Sequence, residues 1–81
     1  DTSRNAEVYL LYKALGLLPE EQKECVILFE ISGFSIKEIM QLQKVSESAV
    51  KQRLRRGRQK LLEVLTNSSS EKIKEVKYEV S

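Results

Sequence analysis

The chain has 81 residues, 41% of them hydrophobic, so it has room for one small core that buries roughly 60–65% of the unfolded surface and no room for two. It carries no His, no Trp, one Cys and one Pro, which excludes histidine acid/base chemistry, the usual zinc sites, a disulfide framework and a CxxC redox pair. Lys plus Arg number 14 against 12 Asp plus Glu, a net charge of +2, and no unbroken apolar run is longer than that of residues 25–29, far short of the ~20 residues that a membrane span needs.

In chain order, Val8, Leu11, Leu15 and Leu18 recur at helical spacing with Leu10, Ala14 and Leu17 beside them, which predicts a first helix over residues 5–15 ending at Gly16. Pro19 opens a second helix at its first position, where its missing N–H has no partner, and Glu20 and Glu21 place negative charge at the positive end of the helix dipole. Its body, residues 25–31, is rich in β-branched and aromatic side chains. A buried helix over 19–31, stopped near Gly33, is expected, with a buried strand as the alternative reading. Cys25 fits there as a small core hydrophobe of a reducing compartment.

The next two helix starts are marked by caps. Phe34-Ser35-Ile36-Lys37-Glu38-Ile39 contains a capping box between Ser35 and Glu38, with Phe34 and Ile39 as its hydrophobic staple. That helix runs to about Gln43, because Val45-Ser46-Glu47-Ser48-Ala49-Val50 starts another with Ser46 as the cap and Val45 and Val50 as the staple. The last helix shows Val50, Leu54, Gly57, Leu61 and Leu65 on one stripe. Steps of about 100° per residue put Ser48, Lys51, Gln52, Arg55 and Gln59 opposite it, with Arg53, Arg56, Arg58 and Lys60 on the flanks. Residues 66–70 read as a flexible break, and residues 71–81 fit a frayed helix or an extended tail equally well.

The charge is concentrated on that last helix. Residues 51–60 hold six basic side chains and no acid, whereas residues 1–50 balance to −3 and residues 61–81 to −1. With no acid at i±4 to relieve the repulsion, the stretch reads as an anion-facing surface. A short capped helix, a turn of about three residues and a second helix with a polar, basic start form a helix-turn-helix, whose second helix fits the major groove of duplex DNA. The expected fold is an all-α, small helical bundle of about four helices with a long C-terminal recognition helix. Residues 1–66 would form that domain and residues 67–81 a linker and tail.

The helix-turn-helix nominates specific contacts. Ser46, Glu47 and Ser48 stand at the entering end, Lys51 and Gln52 face base edges, and Arg55 lies at the margin. Arg53, Arg56 and Arg58, with Lys37 and Lys44 from the supporting helix and turn, are candidates for phosphate. Tyr9, Tyr12, Phe29 and Phe34 are expected to pack rather than to stack on bases, since none lies in the basic stretch. No enzyme activity, cofactor or metal is expected.

Three segments carry a family resemblance: Ala14-Leu15-Gly16-Leu17-Leu18-Pro19 with the Glu-rich start after it, Gly33-Phe34-Ser35-Ile36-Lys37-Glu38-Ile39, and the run from Val45 through Arg53-Leu54-Arg55-Arg56-Gly57-Arg58 to Leu61. Together they resemble region 4 of bacterial sigma factors, most nearly the extracytoplasmic-function group, over roughly residues 14–65. The resemblance implies that the last helix binds the minus-35 element of promoter DNA as a duplex in the cytoplasm. It also implies that another surface docks on the flap of the RNA polymerase β subunit, that an anti-sigma protein regulates the factor, and that promoter melting belongs to a separate N-terminal domain. Asp1 stands where an initiator Met would, which fits a piece of a longer protein. Three positions depart from the family pattern. Met40 stands where a small residue is usual, Lys44 where a turn Gly is usual, and Ala49 where Thr is common. A non-Gly residue in a left-handed turn costs roughly 1–2 kcal/mol.

Two other classes compete. A stand-alone helix-turn-helix regulator, such as the response-regulator type, would more often carry a His or an apolar residue where this chain has Arg55-Arg56-Gly57-Arg58. A protein-interaction module would use the basic helix to meet an acidic partner, and its binding would survive salt that dissociates duplex DNA.

Overall fold

The computed structural model describes the backbone of residues 2–80 and the side chains of residues 5–67. Four helices make the fold: α1 (Thr2–Leu15), α2 (Glu20–Val26), α3 (Ile36–Gln43) and α4 (Glu47–Val80). Among the described residues there is no strand, so the extended alternative for residues 25–31 is set aside.

α1 begins three residues earlier than its apolar pattern suggests, and it ends as expected in the tight turn where the Gly16 amide reaches the Tyr12 carbonyl at 3.1 Å. Pro19 sits one position outside α2. Its φ of −54° and ψ of 145° are not helical, and its carbonyl accepts the first bond of the helix, from the Lys23 amide at 2.9 Å. The expected single helix over 19–31 is instead α2 followed by a π-helical segment, Ile27–Ile31, in which the Ser32 amide bonds back five residues to the Ile27 carbonyl at 2.9 Å. The wider turn adds a residue that an apolar period of 3.6 does not register. Gly33, at φ 77°, then reverses the chain in a left-handed conformation that glycine adopts without steric penalty.

α3 starts where the capping box puts it. The Glu38 amide donates to the Ser35 hydroxyl at 3.1 Å, and the Ser35 amide donates to the Glu38 carboxylate at 2.9 Å. α3 closes on Lys44 in the left-handed region, φ 56° and ψ 48°, with the Val45 amide on the Met40 carbonyl at 3.1 Å in a Schellman-type bond. Ser46 caps α4 by accepting from the Ala49 amide at 3.2 Å.

The core lies where α2 and α3 meet the first half of α4. Leu15, Leu18, Cys25, Val26, Ile39, Val50 and Leu54 are buried together, and Phe34 and Val45, the outer halves of the two staples, pack against them. Ile39 and Val50 are wholly buried, each contributing about 1.5–3 kcal/mol by removal from water. Cys25 is wholly buried too, as a core hydrophobe would be; its thiol lies 3.7 Å from the Val50 carbonyl, and burial pushes its pKa up. Gly57 marks the crossing of α4 over α2: a Cβ there would fall 2.6 Å from Cγ2 of Val26.

Two further expectations are corrected. Tyr9 and Tyr12 do not pack; they are 64% and 54% exposed, because α1 offers the core only the side that carries Leu11 and Leu15. The backbone of α4 also continues through residues 66–70, where a break is expected, because Ser and Asn cost a helix only a few tenths of a kcal/mol each and neither Gly nor Pro follows Gly57. The side chains of the supposed tail, residues 68–81, lie outside those described.

Candidate nucleic-acid interface

α4 divides its surface between two tasks. Val50, Leu54 and Gly57 are buried against the body, and Leu61 packs at the edge of the same core. On the opposite side Ser48, Ala49, Lys51, Gln52 and Arg55 line one shallow, open surface in the first turns of the helix. Lys51 and Gln52, nominated for base edges, lie together there with Ser48 of the entering end and Arg55 of the margin. Next to them Lys37, Lys44 and Ser46 share a second surface with Met40, Gln41 and Val45, so the supporting helix and the turn add two cations at the same end of α4. Arg56 lies on the other flank beside Gln59, Lys60, Glu63, Pro19 and Gln22.

Local interactions tune the entering end. Ser46 is held as a cap, with its hydroxyl 3.2 Å from the Ser48 hydroxyl. Glu47 pairs with Lys51 one turn on at 2.7 Å. The hydrogen bond from Lys51, then its charge, holds the Glu47 carboxyl below its ordinary range, with Lys37 adding to the effect. Lys51 is therefore tethered to an acceptor that sits at the same mouth of the helix.

Two of the nominated arginines are engaged within the protein. The Arg58 guanidinium pairs with the Glu30 carboxylate of the π-helical segment, its Nε 2.7 Å from Oε1, and lies 5.5 Å from the centroid of the Phe29 ring. Arg53, half-buried, donates from Nη1 to Oε1 of Gln43 at 2.9 Å. Among the described residues Arg55, Arg56 and Lys60 have no ion-pair partner, so the basic character of α4 survives these internal contacts. Sequence reasoning missed Gln43 and Glu30. Their partners lie 10 and 28 residues away, at spacings no helical period predicts.

A third surface is apolar. Leu11 and Leu15 of α1, Val26 at the end of α2, Ile31, and Leu61, Leu62 and Leu65 of α4 line a groove whose rim carries the Glu30–Arg58 pair. Ile31 is 47% and Leu62 67% exposed, so the groove opens to solvent, and its α4 residues, Leu61, Leu62 and Leu65, follow Arg55 by six to ten positions along the helix. Among the described residues no three His, Cys, Asp or Glu side chains gather as a metal site, and no helix is long and apolar enough to cross a membrane.

A family model described as sigma-70, region 4 matches residues 9–61, from the middle of α1 to Leu61 in α4. No curated protein and no solved structure matches the chain. The matched span covers well over half of the chain and takes in α3, the turn after it, α4 as far as Leu61 and every nominated DNA contact. The chain belongs to the sigma-70 region 4 family of DNA-binding, non-enzymatic domains that serve promoter recognition in transcription.

Proposed function

We propose that this chain recognises the minus-35 element of promoter duplex as the region 4 domain of an extracytoplasmic-function-type sigma factor, in the cytoplasm, while held on RNA polymerase. The observation that carries the reading is the clustering of Ser48, Lys51, Gln52 and Arg55 on one open face of α4, with Lys37 and Lys44 beside its entering end. Lys51 and Gln52 present donors, and Gln52 an acceptor as well, to base edges in the major groove. Glu47 can accept from a cytosine amine at the same mouth. Lys37, Lys44, Arg55 and Arg56 supply phosphate contacts that fix register and depth. Arg53 and Arg58 are assigned instead to holding α4 on the body, since each already has a protein partner.

The apolar groove between α1, the π-helical segment and α4 is the proposed docking surface for the flap of the polymerase β subunit, and the surface an anti-sigma protein would cover. Its α4 residues lie six to ten positions, about 9–15 Å, further along the helix than Arg55, so a polymerase seated there leaves the base-reading turns accessible to DNA. Capture of the chain by core RNA polymerase, compared with capture of Leu62→Glu, tests both parts. A charge at an exposed rim position leaves the core intact, so the variant should fold and lose polymerase. Equal capture of both proteins removes the groove from the account, and no capture of either removes the polymerase-bound role.

A further inference from the structure

Gln43 is the last residue of α3, directly before the left-handed Lys44, and its side chain joins three helices. Its Nε2 lies 3.3 Å from the Glu21 carbonyl oxygen and 3.4 Å from the Glu24 carboxylate, both on α2. Its Oε1 accepts from Nη1 of Arg53 on α4 at 2.9 Å. An amide suits such a place, because a carboxylate could not donate to α2 and an ammonium could not accept from Arg53.

The contact adds what the apolar core cannot supply. Val50, Leu54 and Gly57 set how closely α4 crosses the body, but apolar contacts are not directional, so its rotation is set by polar contacts, Gln43–Arg53 beside the base-facing turns and Glu30–Arg58 further along. A hydrogen bond weakens steeply as its angle departs from linear, so it resists a roll of the helix about its axis. Arg53 directly follows Gln52 and lies one turn from Ala49, which places its anchored side chain about 100° around the helix from Gln52.

We propose that Gln43 is a positioning residue: by holding Arg53 against α2 it fixes the rotational setting of α4, and so which side chains meet base edges. The proposal rests on the DNA reading of α4 given above. Its consequence concerns sequence preference rather than affinity, since phosphate contacts on flexible Lys and Arg side chains tolerate a small roll and base contacts do not.

The test uses a duplex that the full chain enriches from a randomised pool, a scrambled duplex of the same composition, and the variants Gln43→Ala and Arg53→Met. Arg53→Met keeps an aliphatic stem but has no donor for Oε1 of Gln43, so it probes the same bond should Gln43→Ala fail to fold. Either variant should lower the ratio of enriched to scrambled affinity by about five-fold or more, Gln43→Ala should leave scrambled binding within about two-fold, and the double variant should lose no more preference than the worse single. Unchanged preference, equal losses on both duplexes, or losses that multiply in the double variant would each overturn the positioning role. A native chain that binds both duplexes equally refutes the DNA reading of α4; a native preference that survives both substitutions refutes only the positioning role.

Discussion

Replacing Gly57 by Ala tests how closely α4 is seated on α2. In an unobstructed helix interior the change stabilises by about 0.5–1 kcal/mol, through lower backbone entropy in the unfolded chain and better propensity. Here the added Cβ would lie 2.6 Å from Cγ2 of Val26, with the Gln22 carbonyl oxygen and Cδ2 of Leu18 at 3.5 Å on its other sides. Carbon atoms prefer separations of about 3.5–4.0 Å, so α4 and α2 must part by roughly 1 Å or Val26 must leave its rotamer. Val26 is 3% exposed and β-branched, which makes that rotamer stiff. Overpacking of this kind costs about 1–3 kcal/mol and outweighs the gain, leaving a net loss of about 1 kcal/mol and a Tm lower by about 4–8 °C. Thermal unfolding followed by circular dichroism measures it. Val26→Ala on its own leaves a cavity, and Gly57→Ala should fill part of it, so the double variant should be more stable than the two single losses predict. A rise in Tm for Gly57→Ala alone, or strict additivity with Val26→Ala, would refute the close crossing.

Lys44→Gly should stabilise the chain by up to about 1 kcal/mol in urea unfolding, because relief of the left-handed strain at φ 56° exceeds the entropy that glycine adds to the unfolded state. Ser35→Ala should destabilise by about 0.5–2 kcal/mol through loss of the cap on α3. The Ser35 amide, then its hydroxyl, holds the Glu38 carboxyl below its ordinary range, so the native contribution is present above the usual carboxylate pKa and is lost as pH falls through the lower folded value; Ser35→Ala removes the hydroxyl and keeps the amide, so it should reduce that acid limb without abolishing it in a series of unfolding curves. Arg56→Ala should reduce the salt slope of duplex binding by about one, whereas Arg58→Ala should leave the slope nearly unchanged and lower Tm slightly, since Arg58 is occupied by Glu30 and Phe29.

What could be read from the sequence was local. Ser35 and Ser46 are legible as caps because a side chain and an amide three residues apart meet wherever the chain turns into a helix, and Phe34, Ile39, Val45 and Val50 follow from the same geometry. The left-handed turn at Lys44 followed from the resemblance, which put a glycine there. The π-helical segment was hidden because residues 27–31 are apolar or bulky at four of five positions and show no period for an extra residue to interrupt. Tyr9 and Tyr12 were misjudged because α1 is apolar on most of its faces, so its pattern does not say which face meets the core. On the basic helix the sequence grouped Ser48, Lys51, Gln52 and Arg55 on a common face, since a helical wheel needs no tertiary information. It could not tell which arginines are held by the protein. Arg53 and Arg58 are held by Gln43 and Glu30, which tertiary packing brings to them, and Arg56 on the same flanks has no such partner among the described residues.

The central claim is that the first turns of α4 read base edges while its basic flanks hold phosphate. The most direct measurement titrates the native chain, Gln52→Ala and Arg56→Ala on the enriched duplex and on its scrambled counterpart at several salt concentrations. Gln52→Ala should cost about 1–3 kcal/mol on the enriched duplex and far less on the scrambled one, and Arg56→Ala should weaken both alike. Equal losses on the two duplexes for Gln52→Ala, with a change of preference for Arg56→Ala, would contradict the docking of α4 described above.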